Sequence, residues 1–332
     1  MPAIDTGREN RLIFVSETDA GANTGTVREL EYGEDQIDDT FESLGIPNRF
    51  GALALPQTIK GRRRIGGSVG NFDVRPAMTG LFLKTLLKNA TTTAPTAPAV
   101  LYTHTWDDLS AAFSDKYSTP PLAMYTYRSG ELKRMGAGQV GGFSLIQENN
   151  AFLKGGLNNL QFGVITPYAG SAAVTLPTPI SMELAEPFHY RDFSATWRPE
   201  NTGTVQSLKV ERCEIQMTRQ TVPDEILGTD DVDGYANGDE GFRCNVNLRL
   251  SRRENGFRLY AEQYKWGVLT LKWEKADGTL LQVKINRAQF RGFRDNQQNF
   301  GAIPKEPSFA SEISNAAGKG LDITLKNLVT AY

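Results

Sequence analysis

The chain has 332 residues, with 36 basic against 38 acidic side chains and a formal net charge of −2. At about 100–200 residues per domain, that length implies two domains, each large enough for a hydrophobic core. So even a balance excludes a chain-wide electrostatic preference for nucleic acid or an anionic membrane.

In chain order, the first segment, Met1 to Asn10, is polar and has no apolar stretch of the secretory type, so no signal peptide is expected. No apolar run anywhere approaches the roughly 20 residues of a membrane helix. Next comes Lys60 to Val74, where Arg62, Arg63 and Arg64 precede a run of glycines. A helix is expected from Pro76 to Lys88. Proline is allowed at its first position, Met78, Leu81, Phe82 and Leu86 follow helical spacing, and Lys84 and Lys88 sit toward its C-terminal end. Ala90–Ala99 reads as a mobile loop that opens an insertion to Pro121. Thr126–Arg134 and Gln139–Gln147 alternate as strands joined by glycine-containing turns. Ala169–Pro179 reads as a linker. A second helix is expected from Asn255 to Trp266. Leu269–Glu274 and Leu280–Asn286 flank Asp277-Gly278, a strong hairpin signal, and Leu321–Leu328 is a closing strand.

These features repeat. Gly25-Thr-Val-Arg-Glu-Leu30 returns as Gly203-Thr-Val-Gln-Ser-Leu208, each followed by an acidic stretch. The acids are Asp35, Asp38 and Asp39 in the first half, and Asp230, Asp231 and Asp233 in the second. A glycine-led strand follows (67–74 against 241–248), then a single helix, then a hairpin (125–146 against 269–290). A duplicated module of strands with one helix is the reading that order supports.

No motif for chemistry survives inspection. The glycine-rich stretch before the first helix lacks the Gly-Lys-Ser/Thr of a phosphate loop. Gly136, Gly138 and Gly141 match a dinucleotide-loop spacing, but no helix follows them. Cys213 and Cys244 form no Cys-x-x-Cys pair and are expected as reduced core residues of a protein folded in a cytosol. His104 and His189 stand apart from other metal-type residues, and His104 reads as a structural imidazole. Asp230-Asp-Val-Asp-Gly234 lacks the spacing and the glutamate of a calcium loop. No enzyme activity, cofactor or metal is expected.

The order of features resembles the two-domain major tail tube proteins of long-tailed bacteriophages. The likeness rests on Val15-Ser-Glu-Thr-Asp-Ala-Gly21, Phe41-Glu-Ser-Leu-Gly-Ile-Pro-Asn-Arg49, Ile65-Gly-Gly-Ser-Val-Gly-Asn-Phe-Asp-Val74 with its helix, Val140-Gly-Gly-Phe-Ser-Leu145, and Ser207-Leu-Lys-Val-Glu211 with Leu227-Gly228. The resemblance implies a mainly β (α+β) chain of two tandem modules, each an antiparallel sandwich flanked by one helix. The modules would span 1–168 and 203–332, with a linker at 169–202 and inner sheets joining into a barrel. It implies a structural virion protein: trimeric, pseudo-hexameric rings stacked into a tube that DNA traverses without specific binding. Expected partners are further copies of the chain, a tape-measure protein and tail-tip or terminator proteins, with no membrane. Expected locations are the phage tail and, during assembly, the host cytoplasm. Subunit contacts are expected at Arg62, Arg63, Arg64, Asp35, Asp38, Asp39, Asp230, Asp231 and Asp233. The N-terminal segment to Asn48, the 90–121 insertion and the 169–202 connector are expected as stacking arms, and the lumen face as net negative with the arginines elsewhere. The alternatives are a β-rich module of a phage baseplate or a carbohydrate-binding protein, which would show an exposed platform of Trp106, Trp197, Trp266 or Trp273, and a hydrolase on a β-sandwich, which would show clustered His, Asp or Glu.

Overall fold

The computed structural model describes residues 11–17, 23–45, 58–87, 89–108, 119–128, 131–166, 174–175, 177–199, 203–225, 232–251, 266–295, 305–311, 319–330 and 332. The protein is mainly β. The first elements are β1 (Arg11–Glu17), β2 (Asn23–Leu30), β3 (Glu34–Gly45), β4 (Thr58–Asp73), α1 (Pro76–Leu86), β5 (Asn89–Thr93), β6 (Tyr102–Asp107), β7 (Leu122–Arg128), β8 (Glu131–Glu148), β9 (Lys154–Phe162) and β10 (Val164–Thr166). Then follow β11 (Ile180–Met182), β12 (Phe193–Pro199), β13 (Gln206–Leu208), β14 (Val210–Glu225), β15 (Val232–Leu250), β16 (Trp266–Glu274), β17 (Leu280–Asp295), β18 (Lys305–Ser311) and β19 (Leu321–Asn327).

Strand pairing repeats along the chain. The pairs β1–β2, β1–β7, β7–β8, β8–β10, β8–β9, β4–β9 and β3–β4 are antiparallel. They recur in the same order as β12–β13, β12–β16, β16–β17, β17–β19, β17–β18, β15–β18 and β14–β15. The hairpin expected at Asp277-Gly278 is present, with Glu274 opposite Leu280. Gly278 sits at φ 86, a conformation that favours glycine. Asp277 secures the turn by accepting from the Thr279 amide at 2.8 Å.

Two long strands change partners along their length: β8 pairs with β7 and β10 and then with β9 and β14, and β17 with β16 and β19 and then with β18. Residues 131–138 of β8 pair with β7, and residues 139–148 pair with β9 and β14. The glycines at 136, 138 and 141 therefore lie inside one strand and join no turn. A Cβ on Gly138 would stand 2.6 Å from the Leu122 carbonyl oxygen, and one on Gly141 2.5 Å from the Asn159 side chain. Close backbone approach accounts for these glycines. β7 ends and β8 begins with Arg128 opposite Glu131, inside the segment the alternation assigns to one strand.

Several other expectations shift. Ala90–Ala99 is not a free loop. β5 and β6 form a hairpin that adds to β19, with His104 and Trp106 each 1% exposed. Residues 193–199, expected in a linker, are β12. The second expected helix, 255–266, lies outside the described residues apart from Trp266, which begins β16.

The first helix forms where expected, but it is not a flank with a wet face. All its residues except Lys84 are buried. It packs against β8, β19 and β6. Burial holds the Lys84 ammonium below its ordinary pKa. Pro76 has no amide hydrogen to place, and Arg75 at the N-cap offers no side-chain bond. The next two amides, Ala77 and Met78, both donate to the Glu183 carboxylate, at 2.6 and 2.9 Å. A residue more than a hundred positions away thus does the work of a capping side chain. Arg75 holds that segment in place by donating to the Glu183 and Ala185 carbonyls, both at 2.9 Å.

Burial raises the Glu183 carboxyl pKa above its ordinary 4.5, while the Ala77 and Met78 amides pull it back. A carboxyl raised on folding adds stability below its unfolded pKa and loses it as pH rises through the folded value. Glu183→Ala is expected to cost about 1–2 kcal/mol in chemical denaturation. The stability gap between wild type and Glu183→Gln is expected to narrow as pH climbs above 4.5; a widening gap would show that the carboxylate, not the acid, is the favoured form.

Candidate assembly interface

Eight of the strands form one antiparallel sheet in the order β3–β4–β9–β8–β14–β15–β18–β17, the last through residues 288–295. One joint in it has no counterpart within either repeat: β8 with β14, from Gly142 opposite Thr218 to Glu148 opposite Arg212. Its inner face carries Phe143, Leu145, Ile215 and Met217, each 0–1% exposed. Burying such side chains contributes roughly 1.5–3 kcal/mol apiece. On the outer face Arg212 Nε lies 3.4 Å from Glu148 Oε1, an exposed pair that adds little.

The two ends of the sheet are open among the described residues. Among the described residues the ladder of β3 is with β4. β17 past Gln289 is paired on one side by β18, while β16 stops at Trp266 opposite Gln289. Open antiparallel edges expose unmatched amides and carbonyls and recruit other strands.

The repeats can be superposed by row across the sheet. Ile37, Gly67, Leu160 and Val140 stand opposite one another in succession. So do Ile215, Val246, Phe309 and Phe290. Gln139-Val-Gly-Gly-Phe143 then aligns without a gap on Gln289-Phe-Arg-Gly-Phe293. Weak letter similarity had placed the β4 and β15 counterparts on the right strands but five residues out of step. It had also matched the acids of β3 with those at 224–233, whereas Asp38 corresponds to Gln216.

The structure brings six of the expected contact residues onto one ribbon. Asp35 faces Val69, Asp38 faces Gly66 and Asp39 faces Ile65, while Arg63 and Arg64 face Phe41 and Thr40. Arg62 lies on β4 next to them. Asp233 lies near the start of β15. Asp230 and Asp231 lie outside the described residues. At Gly67, φ is 151, and an added Cβ would meet the Gln36 carbonyl oxygen at 1.9 Å. Glycine is there because the β3–β4 ribbon closes onto itself.

Both ribbons run past the sheet. β4 pairs with β9 no further than Ile65, so among the described residues 58–64 have β3 as their ladder partner. β14 pairs with β8 no further than Thr218, and among the described residues its far end has β15 as its ladder partner, with Arg219 and Thr221 still bonded to Leu86, Thr119 and Gln161. The first extension carries Lys60 and the three arginines; the second carries Asp224, Glu225, Asp233, Asp239 and Glu240.

The outer face of the sheet is polar. Arg64, Arg212, Arg243, Arg249 and Arg291 share it with Glu34, Asp38, Glu148, Glu214 and Glu306, all exposed or half-buried. Among the described residues this face carries charges of both signs, and Arg64 lies on it. Strict alternation explains the placement, since Ile65 must point to the core.

The remaining candidates are structural. His104 has Thr92 Oγ1 at 3.0 Å from Nδ1 and the Val329 carbonyl at 2.9 Å from Nε2, and burial lowers its pKa. Cys213 and Cys244 are free and 1% exposed, on neighbouring strands. Burial pushes the Cys244 thiol up to about 12 and the Cys213 thiol higher. Among the described residues no group of three or more His, Cys, Asp or Glu converges on a metal site, and no helix is long and apolar enough to cross a membrane. No protein-family model matches the chain, and none of the curated proteins searched does.

Gly67→Ala is expected to cost about 2–3 kcal/mol in denaturant unfolding, through steric overlap with the Gln36 carbonyl and an unfavourable φ, unless the ribbon shifts; an unchanged midpoint would show that it shifts freely.

Proposed function

We propose that this chain is a structural subunit that polymerises through its sheet edges into rings, and through stacked rings into a hollow tube of the phage-tail type. Three chains of two modules each make a pseudo-hexameric ring whose inner sheets close into one barrel. DNA passes through the lumen, and the assembled tube belongs to the virion, with tape-measure and tail-tip proteins as partners and the host cytoplasm as the place of assembly.

One observation carries the reading. The chain joins its two repeats edge to edge at β8–β14, and leaves open the edge that corresponds to each side of that joint. A contact already made once within the chain can therefore be made again between chains, and repetition by rotation closes a ring. Closure also removes the edges that would otherwise aggregate.

The β5–β6 insertion is packed against β19, so it is not the stacking arm in this reading. The ribbon extensions take that place, one basic and one acidic. The lumen is the polar face of the sheet. Mixed charge there gives DNA no continuous row of cations to displace its counterions, so gripping stays weak at physiological salt. A carbohydrate-binding module would need an exposed aromatic platform, but Trp106, Trp197 and Trp273 are buried.

Negative-stain microscopy of the concentrated protein is expected to show rings or hollow tubes; a monomer at every concentration would overturn the reading. Reversing the charge of Arg62 and Arg63 to glutamate is expected to leave rings intact and to shorten or abolish tubes. Tubes of normal length from that variant would remove the ribbon from ring stacking.

A further inference from the structure

The register of the joint between copies can be read from the joint within the chain. We infer that residues 292–295 of β17 in one copy pair antiparallel with residues 37–40 of β3 in a second copy, with Arg294 opposite Asp38. The inference rests on the ring reading above and adds which edges meet, and where.

The argument uses only the two superposed repeats. β8 corresponds to β17 with no gap, so Gly142, Phe143, Ser144 and Leu145 map onto Gly292, Phe293, Arg294 and Asp295. β14 corresponds to β3 through the rows set by Ile215 and Ile37, so Thr218, Met217, Gln216 and Ile215 map onto Thr40, Asp39, Asp38 and Ile37. Within the chain, Gly142 faces Thr218, Phe143 faces Met217, Ser144 faces Gln216 and Leu145 faces Ile215. Transferring these pairs puts Gly292 opposite Thr40, Phe293 opposite Asp39, Arg294 opposite Asp38 and Asp295 opposite Ile37.

Three features favour a second copy as the occupant. The two open edges lie at opposite ends of an eight-strand sheet, seven steps of about 4.8 Å apart, so the chain's own β3 does not reach its own β17. With an even number of antiparallel strands, the two edges run in the senses that an antiparallel joint requires. The internal joint pairs Ser144 with Gln216, which are neutral; the transferred register replaces them with an arginine and an aspartate. Opposite charges directly across a ladder favour that alignment, and like charges would oppose it. A shift by one residue would bring Asp295 to Asp38 and would also turn every side chain of the edge strand to the wrong face.

The test is disulfide trapping in the full-length protein. Cys213 and Cys244 stay in place, because both are buried. A variant carrying Asp38→Cys and Arg294→Cys is oxidised under conditions where rings form. The expected result is reducible cross-linked dimers and a closed species of three chains, with no cross-link from either single variant. A second pair, Gln36→Cys with Arg294→Cys, samples a slip of two residues on the same face and is expected to stay uncross-linked. Charge exchange supplies a measurement that does not depend on thiols: Asp38→Arg is expected to block ring formation, and Asp38→Arg combined with Arg294→Asp to restore it. Rings that form without the 38–294 cross-link, or with the 36–294 cross-link in its place, overturn this joint and leave the ring reading standing. A protein that stays folded by circular dichroism but never assembles overturns both.

Discussion

The joint between β8 and β14 is the constraint on which the rest of the molecule depends. β8 must serve two ladders, with β7 and β10, at its start and two others, with β9 and β14, at its end. A strand can change partners in mid-course only if its backbone comes very near its neighbours at the crossing. That requirement places glycines at 138 and 141, where a Cβ would overlap a carbonyl oxygen or a side chain. Once β8 is threaded in this way, β14 has one position beside it, and both repeats share a single sheet.

The helix follows from the same arrangement. The helix packs against β8 of the shared sheet and against β19 and β6. A helix buried on nearly all sides cannot leave its first amides to water, so their partner must come from elsewhere in the chain. Glu183 supplies it, anchored by the Arg75 bonds to the Glu183 and Ala185 carbonyls. Burial penalises its charge, and the amides compensate only in part. The site is a structural device, and its polar groups are absorbed by the helix end.

Some of this was legible in the residues. The hairpin at Asp277-Gly278 was, because Asp-Gly demands a turn and the flanks alternate. The first helix was, because Pro76 and the spacing of Met78, Leu81, Phe82 and Leu86 have a local cause. The buried His104 and the free, buried thiols were, because no other metal-type residue stands near them in sequence. The internal repeat was legible in order but not in step, since its counterparts share few letters. Only the hydrogen-bonded rows show that Ile37 answers to Ile215. The contact candidates were legible as types, but the ribbon uniting Asp35, Asp38 and Asp39 with the arginines was not, since register depends on a partner strand far along the chain.

By itself the sequence determined local matters: a β-rich chain of balanced charge, the Asp277-Gly278 turn, one helix, and a duplicated order of elements. These depend on neighbours within a few positions, where backbone sterics and alternation act directly. The tertiary structure decided which edges remain open, which face carries the arginines, and where the threonine-rich insertion goes. Ala90–Thr93 has the composition of a loop, yet it is a strand because β6 and, beyond it, β19 offer a ladder. Arg64 stands on the polar face because Ile65 beside it is claimed by the core. Such outcomes are set by long-range pairing, in which each strand's environment is another strand.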